Sequence, residues 1–317
     1  MKHQILCVVG PTASGKTKLS IELAKRYDGE VLSCDSMQIY RGMTIGTAKP
    51  TPEEMDGVPH HMIDVADPGE AFSVSRYVEM ADPIVQDILS RGKTCVIVGG
   101  TGLYVDSLIA GRSFAPFPET GKRQELEAMA AEQGIEAVLD ILRQHDPDSA
   151  ARLHTSDQRR IIRAAEVWLE TGKTITQHNR ETQAIPPKYS PLWLGLDFTD
   201  RAELYARIDR RVDIMMEQGL IEEIEGLLEG GTPPTATALQ AIGYKEPMAA
   251  LRGEMTMAEA VDKIKQESRR YAKRQLTWFR RNKDIHWIYN KEPVSFDAVW
   301  QQADMILNAE FKMQNAK

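Results

Sequence analysis

Apolar positions along this chain follow two rhythms. Short, nearly unbroken runs at Ile5-Leu6-Cys7-Val8-Val9, Glu30–Cys34, Lys93–Val98, Leu192–Leu196 and Ile285-His286-Trp287-Ile288 read as strands buried on both faces, the signature of a parallel sheet. Between them the spacing turns helical, first through Leu19, Ile21, Leu23 and Ala24, then over Ser73 to Leu89. From Gly111 the strands stop. Pro116 and Pro118 break the chain, and amphipathic helices are predicted from about Glu119 to Gln133, Ile135 to His145 and Gln158 to Glu170, with Gly172 as a stop. Pro186-Pro187 closes that stretch before strand character resumes. The pattern predicts an α/β core built from residues 1–112 and 189–317, interrupted by an all-helical insertion over 113–188. Near the C-terminus, Thr256 with Glu259 forms a capping box for a long helix toward Asn282, and Asp200 with Glu203 forms another for the helix carrying Arg207, Arg210 and Arg211. A last amphipathic helix is predicted from about Ser295 to Phe311. The stretch from Tyr40 to Asp67 is irregular, and His60 and His61 read as polar loop residues.

The first strand runs straight into Gly10-Pro11-Thr12-Ala13-Ser14-Gly15-Lys16-Thr17, which fits G-x-x-x-x-G-K-[ST] with a strand before it and a helix after it. Glycines let successive backbone N–H groups turn inward, the helix N-terminus adds partial positive charge, Lys16 a full charge and Thr17 a hydroxyl suited to Mg²⁺. The fold class is therefore a P-loop NTPase-like, nucleotide-kinase-like parallel sheet with a helical insertion. Asp35 ends the second strand and should face the same crevice, because ligands of open parallel sheets gather at the carboxyl ends of strands. The third strand ends in Gly99-Gly100-Thr101-Gly102, where glycines admit a ligand close to the backbone and Thr101 offers a hydroxyl. No Asp ends that strand, which counts against a plain kinase or ATPase. The loop alone leaves open a nucleotide kinase, an NTPase or another diphosphate chemistry.

Composition refines this picture only locally. The 317 residues are 42% apolar and 27% charged, with formal net charge −7, against a generic polyanion binder. Basic residues nevertheless cluster: Arg159, Arg160 and Arg163 sit near a helix start, and Lys263, Arg270, Arg274 and Arg281 form one stripe beside Ile264, Tyr271 and Trp278. Either an anionic polymer or a solvated, internally paired face accounts for them. No run approaches the ~18–20 apolar residues of a membrane span. No signal-peptide core stands apart from the first strand, and Cys7, Cys34 and Cys95 form no C-x-x-C pair, so a cytoplasmic protein without disulfides or zinc is expected.

Taken together, the motifs resemble those of the bacterial tRNA dimethylallyltransferases (isopentenyltransferases). The residues that carry the resemblance are Gly10–Thr17, Asp35-Ser-Met-Gln-Ile-Tyr40, Gly46-Thr-Ala-Lys-Pro50, Val98-Gly-Gly-Thr-Gly-Leu-Tyr104, Ala241-Ile-Gly-Tyr244 and Lys273-Arg-Gln-Leu-Thr-Trp-Phe-Arg280, spread over nearly the whole chain. The resemblance implies transfer of a dimethylallyl group from its diphosphate to N6 of the adenine beside the anticodon, in tRNAs that read codons beginning with U. It implies that Gly10, Thr12, Ala13, Ser14, Gly15, Lys16, Thr17 and Arg211 bind the diphosphate, with Mg²⁺ on Thr17, and that Asp35 is the general base. Thr101 would hydrogen-bond the bridging oxygen of the leaving group, with Lys16 also catalytic. Contacts to the anticodon stem-loop are implied for Asp35, Ser36, Met37, Gln38, Thr101, Arg123, Arg159, Arg160, Ile161, Ile162, Arg163, Gln240, Ala241, Ile242, Gly243, Tyr244, Lys245, Lys273, Arg274 and Arg280. The insertion would grip the loop and the adenine would be flipped out of it. A monomer is expected, with no membrane contact. The D-D-x-x-D element of other prenyl-diphosphate enzymes is missing, so on this reading the diphosphate rests on the P-loop. A small-molecule kinase using ATP is the alternative.

Overall fold

The computed structural model describes residues 5–112 and 120–315. Pro116, Pro118 and the expected helix start at Glu119 lie outside the described residues. The chain separates into two compact units, one from residues up to Gly111 and from Lys188 onward, the other spanning Arg112–Pro187.

The larger unit is built on six parallel strands: β1 (Ile5–Val9), β2 (Gly29–Ser33), β3 (His60–His61), β4 (Thr94–Gly99), β5 (Leu192–Phe198) and β6 (Ile285–Asn290), in the order β3-β2-β4-β1-β5-β6. Every residue of β1, β2 and β5 is buried, which is why β1 and most of β5 read as continuous apolar runs, while β2 also buries Glu30 and Ser33. Leu6 and Val8 of β1 meet Leu19 and Leu23 of the helix Lys16–Arg26 in one core, and Phe198 packs with Ile208, Ala272 and Leu276 in another. The helices Val74–Ser90, Arg201–Glu217, Met257–Phe279 and Phe296–Asn315 extend their predicted counterparts or trim them by a few residues. Among the described residues no helix is long and apolar enough to cross a membrane.

Three local expectations change. His60 and His61 are strand rather than loop, pairing with Val31 and Leu32. The strand is only two residues long and carries no apolar alternation. It is pinned by the His61 ring against buried Glu30 at 2.8 Å. The same stretch holds a short helix, Pro52–Met55, closed by a Thr51–Glu54 capping box. The capping box at Thr256 and Glu259 forms as predicted, but Asp200 caps its helix alone. Glu203 instead accepts the backbone N–H of Glu292.

The smaller unit is helical throughout its described residues: Lys122–Gln133, Ile135–His145, Pro147–Ala150, Gln158–Thr171 and Ile175–Ala184. Its core gathers Leu126, Val138, Leu139, Leu142, Ile161 and Ala165. Asp146 ties two of the helix starts together, accepting from the backbone N–H of Ser149 at 3.2 Å and the hydroxyl of Thr176 at 2.7 Å.

Candidate active site

The loop after β1 carries the geometry its sequence requires. Gly10, Ala13 and Gly15 all have positive φ (144°, 62° and 93°), so the backbone coils back on itself before the helix begins at Lys16. Gly10 is required twice over, since a Cβ there would stand 2.4 Å from the Leu196 carbonyl. Lys16 donates to the Pro11 carbonyl at 2.7 Å. Burial and the neighbouring Arg211 guanidinium pull its pKa down from 10.5 to about 7, against the opposing attraction of Asp35. Arg211 reaches the loop as well, donating to the Thr12 hydroxyl at 3.3 Å, and Arg207 donates to the Ala13 carbonyl at 3.2 Å.

Asp35 stands at the carboxyl end of β2, in the same cavity as Lys16, Thr17 and Arg211. Its Oδ1 accepts the backbone N–H groups of Met37 at 2.8 Å and Gln38 at 3.4 Å, which fixes the carboxylate and leaves Oδ2 without a hydrogen bond among the described residues. Thr101 follows β4, its hydroxyl accepting from the Ser36 N–H at 3.1 Å and lying 3.3 Å from the Ser36 hydroxyl. Tyr271 closes the group. Burial together with the Asp35 charge pushes its pKa up to about 12, so the phenol stays protonated.

Two cavities meet here. One, about 90 Å³, is lined by the phosphate loop. The other, about 320 Å³ and more apolar, is lined by Met37, Ile208, Val212, Met215, Ile264 and the segment Gln240–Tyr244. Thr12, Asp35, Arg211 and Tyr271 border both. A carboxylate thus faces a phosphate cradle on one side and an apolar chamber on the other.

Sequence reasoning missed Gln275. It is 5% exposed, accepts the Thr12 N–H at 2.9 Å and donates to the Gly100 carbonyl at 3.0 Å, strapping the phosphate loop to the end of β4. It also revises the reading of the glycines there. A Cβ at Gly99 would meet the Cys34 carbonyl at 2.2 Å, at Gly100 the Gln275 amide at 2.0 Å, and at Gly102 the Trp278 ring at 2.1 Å. These glycines admit other parts of the protein, although Gly99 and Gly100 also border the cavity.

The remaining candidates divide. Gln240, Ala241, Ile242, Gly243 and Arg274 line the apolar chamber. Tyr244 borders it too, but its hydroxyl is held by Glu223 at 2.7 Å, and Glu223 also gathers the N–H groups of Thr44, Ile45 and Gly46. Lys245 lies 3.8 Å from Glu246. Lys273 and Arg280 are both exposed, and Arg280 also reaches the fully buried Asp197 at 2.9 Å. Within the insertion, Arg123 and Arg163 converge on Glu166, at 3.7 and 2.7 Å. Arg159 and Arg160 are exposed on the first turn of Gln158–Thr171. Ile161 and Ile162 are buried in the core of that unit, so their side chains cannot meet RNA as expected.

A positively charged loop heading a parallel sheet, with a fixed carboxylate and a hydroxyl across the crevice, defines a P-loop α/β protein. The chain belongs to the IPP transferase family, whose model matches residues 38–282, and a second model, isopentenyl transferase, matches residues 3–69. It is 48% identical over 298 residues to the tRNA dimethylallyltransferase of Halalkalibacterium halodurans, covering 94% of each chain. It is 46% identical over 294 residues to that of Acetivibrio thermocellus, covering 92% of this chain and 93% of the other. Its structure resembles the full-length tRNA isopentenylpyrophosphate transferase of Bacillus halodurans, with 44% identity, TM-score 0.72 and 99% coverage of both chains. It also resembles a eukaryotic dimethylallyltransferase acting on tRNA, with 30% identity and TM-score 0.82, over 98% of this chain and 80% of that one.

Proposed function

We propose that the protein transfers a dimethylallyl group from dimethylallyl diphosphate to N6 of the adenosine next to the anticodon, in tRNAs that read codons beginning with U. The products are N6-(dimethylallyl)adenosine and diphosphate. The observation that carries this reading is the position of Asp35 and Tyr271 on the border between the phosphate-loop cavity and the apolar chamber.

The donor's diphosphate rests against the amides of the loop, with Lys16 and Arg211 beside it. The adenine occupies the apolar chamber, which a base can enter only after leaving its stack. N6 attacks the allylic C1, the C1–O bond breaks, and the electron pair leaves with the diphosphate. The N6 proton passes to Asp35, whose Oδ2 is the carboxylate oxygen left open. Proton transfer of this kind contributes roughly 10²–10⁴-fold. The Thr101 hydroxyl, oriented by Ser36, donates to the oxygen from which C1 departs. Donors aimed at charge that develops on a leaving group are worth about 2.7–4 kcal/mol each.

A divalent metal fits the site through the Thr17 hydroxyl. No cluster of three or more His, Cys, Asp or Glu side chains suited to a metal occurs among the described residues. The ion would therefore draw its other ligands from the donor and from water, as Mg²⁺ does with phosphates. We take it to be Mg²⁺, which neutralises charge on the leaving diphosphate. Arg159, Arg160, Lys273 and Arg274 supply exposed positive charge for the anticodon stem-loop, joined by half-buried Lys245, and we place the protein in the cytoplasm as a monomer. Asp35→Asn tests the assignment: anticodon stem-loop affinity should stay within about twofold while turnover falls by roughly 10²–10⁴. Near-normal turnover would remove Asp35 from the chemistry.

A further inference from the structure

His60, on the two-residue edge strand β3, lines the phosphate-loop cavity together with Thr17, Ser33, Gln38 and Asp35. Its Nδ1 lies 2.8 Å from the Val58 carbonyl. A carbonyl can only accept, so Nδ1 carries the proton, and the neutral ring presents a bare lone pair at Nε2. Burial favours that neutral ring by pulling its pKa below the usual 6.5. Nε2 is itself buried and has no hydrogen-bond partner among the described residues. An orphaned acceptor of this kind costs about 1–3 kcal/mol, so its partner is worth identifying.

The donors bordering the same cavity are largely committed. Ser20 donates to the Thr17 carbonyl, Ser33 to Gln38, and the Gln38 amide to the carbonyls of Thr47 and Ala48. Lys16 and Arg211 keep N–H groups beyond their bonds to Pro11 and Thr12, and these are the charges that face the diphosphate. Thr17 is the hydroxyl set aside for the metal. Nε2 has no hydrogen-bond donor among the described residues, and a ligand in the cavity can bring one. An ionised diphosphate brings none, whereas a hydrated divalent cation brings several.

We propose that His60 is a positioning residue for the metal–diphosphate complex, its Nε2 accepting a hydrogen bond from a metal-bound water in the cavity beside Thr17. The inference rests on the diphosphate reading of that cavity. It gives the irregular stretch from Tyr40 to Asp67 a task that the P-loop motif does not cover. Partners of this outer kind are typically worth 10–100-fold in metal affinity.

The test measures affinity for inorganic diphosphate on the full chain by titration calorimetry, with and without Mn²⁺, for wild type, His60→Gln, His60→Asn and His60→Leu. Gln places an acceptor oxygen near the position of Nε2, whereas Asn places one near Nδ1 and Leu none. The affinity gained from Mn²⁺ should fall roughly 10–100-fold in His60→Leu and His60→Asn and be kept within about threefold in His60→Gln. Metal-free affinity should be the same in all four. The Gln and Asn pair decides the matter even if the Leu variant does not fold. An unchanged Mn²⁺ gain in Asn, or an equal loss in Gln and Asn, overturns the proposal while leaving the diphosphate site intact. A loss of metal-free affinity would make the ring a direct phosphate contact and also overturn it. No diphosphate binding by the wild-type chain would end both readings.

Discussion

Gly100 and Gln275 stand on different elements and should be energetically one unit. A methyl group at Gly100 would lie 2.0 Å from the Gln275 amide nitrogen and 3.2 Å from its Cδ, with the Gly10 carbonyl at an ordinary 3.7 Å. The backbone at Gly100 is not left-handed, so alanine there meets no conformational penalty. Gly100→Ala therefore acts by expelling the Gln275 amide, and Gln275→Ala removes the same group directly. Either change strands the buried Gly100 carbonyl, at about 1–3 kcal/mol, and breaks the bond to the Thr12 N–H, which can turn to water and costs roughly 0.5–1.5 kcal/mol. Each single variant should lose about 2–4 kcal/mol, and the double variant little more than Gln275→Ala alone, a coupling of roughly 2–3 kcal/mol. At ~2–4 °C per kcal/mol for a unit of this size, each single variant should melt several degrees below wild type. The double variant should melt within about 2 °C of Gln275→Ala. Thermal melts of the four proteins measure this, and decreases that simply add would refute the strap.

Three further outcomes follow from the site. Lys16 has its pKa lowered to about 7 in the empty crevice, and a bound diphosphate must raise it. Donor binding then takes up a proton above pH ~7, and the donor Kd should climb by up to tenfold per pH unit there. A flat profile from pH 7 to 9 would contradict that. Reversing Arg159 and Arg160 to Glu should weaken anticodon stem-loop binding and reduce the salt slope by about 1–2, since each lost phosphate contact lowers it by ~0.7–0.9. An unchanged slope returns both arginines to a solvated face. Tyr244→Phe removes the 2.7 Å bond to Glu223 and should lower stability by about 1–2 kcal/mol, seen in the melt, without changing RNA affinity. A tenfold rise in the RNA Kd with an unchanged melt would instead make the hydroxyl an RNA contact.

What the sequence shows and what it hides divide along physical lines. Strands such as β1 and β4 are legible because burial on both faces leaves an unbroken apolar run, and the phosphate loop is legible because its chemistry is local. The strand at His60–His61 has no such run. It exists because Val31 and Leu32 offer it an edge and Glu30 holds one of its rings. Gln275 is a polar residue in a long helix and looks like any other. Only the crossing of that helix over two loops more than 170 residues away makes it a strap. The same holds for Arg280, which reads as free charge until Asp197 is found beneath it. Ile161 and Ile162 could have been assigned to a core from their apolar character, since Arg159 and Arg160 just before them on that helix are exposed.

The most direct measurement incubates the protein with labelled dimethylallyl diphosphate and an unmodified anticodon stem-loop, then digests the RNA and weighs its nucleosides. One adenosine per stem-loop, the one beside the anticodon, should gain a single dimethylallyl group, with diphosphate released in equal amount and none transferred by Asp35→Asn on the same timescale. Phosphate passing from ATP to an acceptor on Lys16's loop, with no label reaching the RNA, would contradict the account.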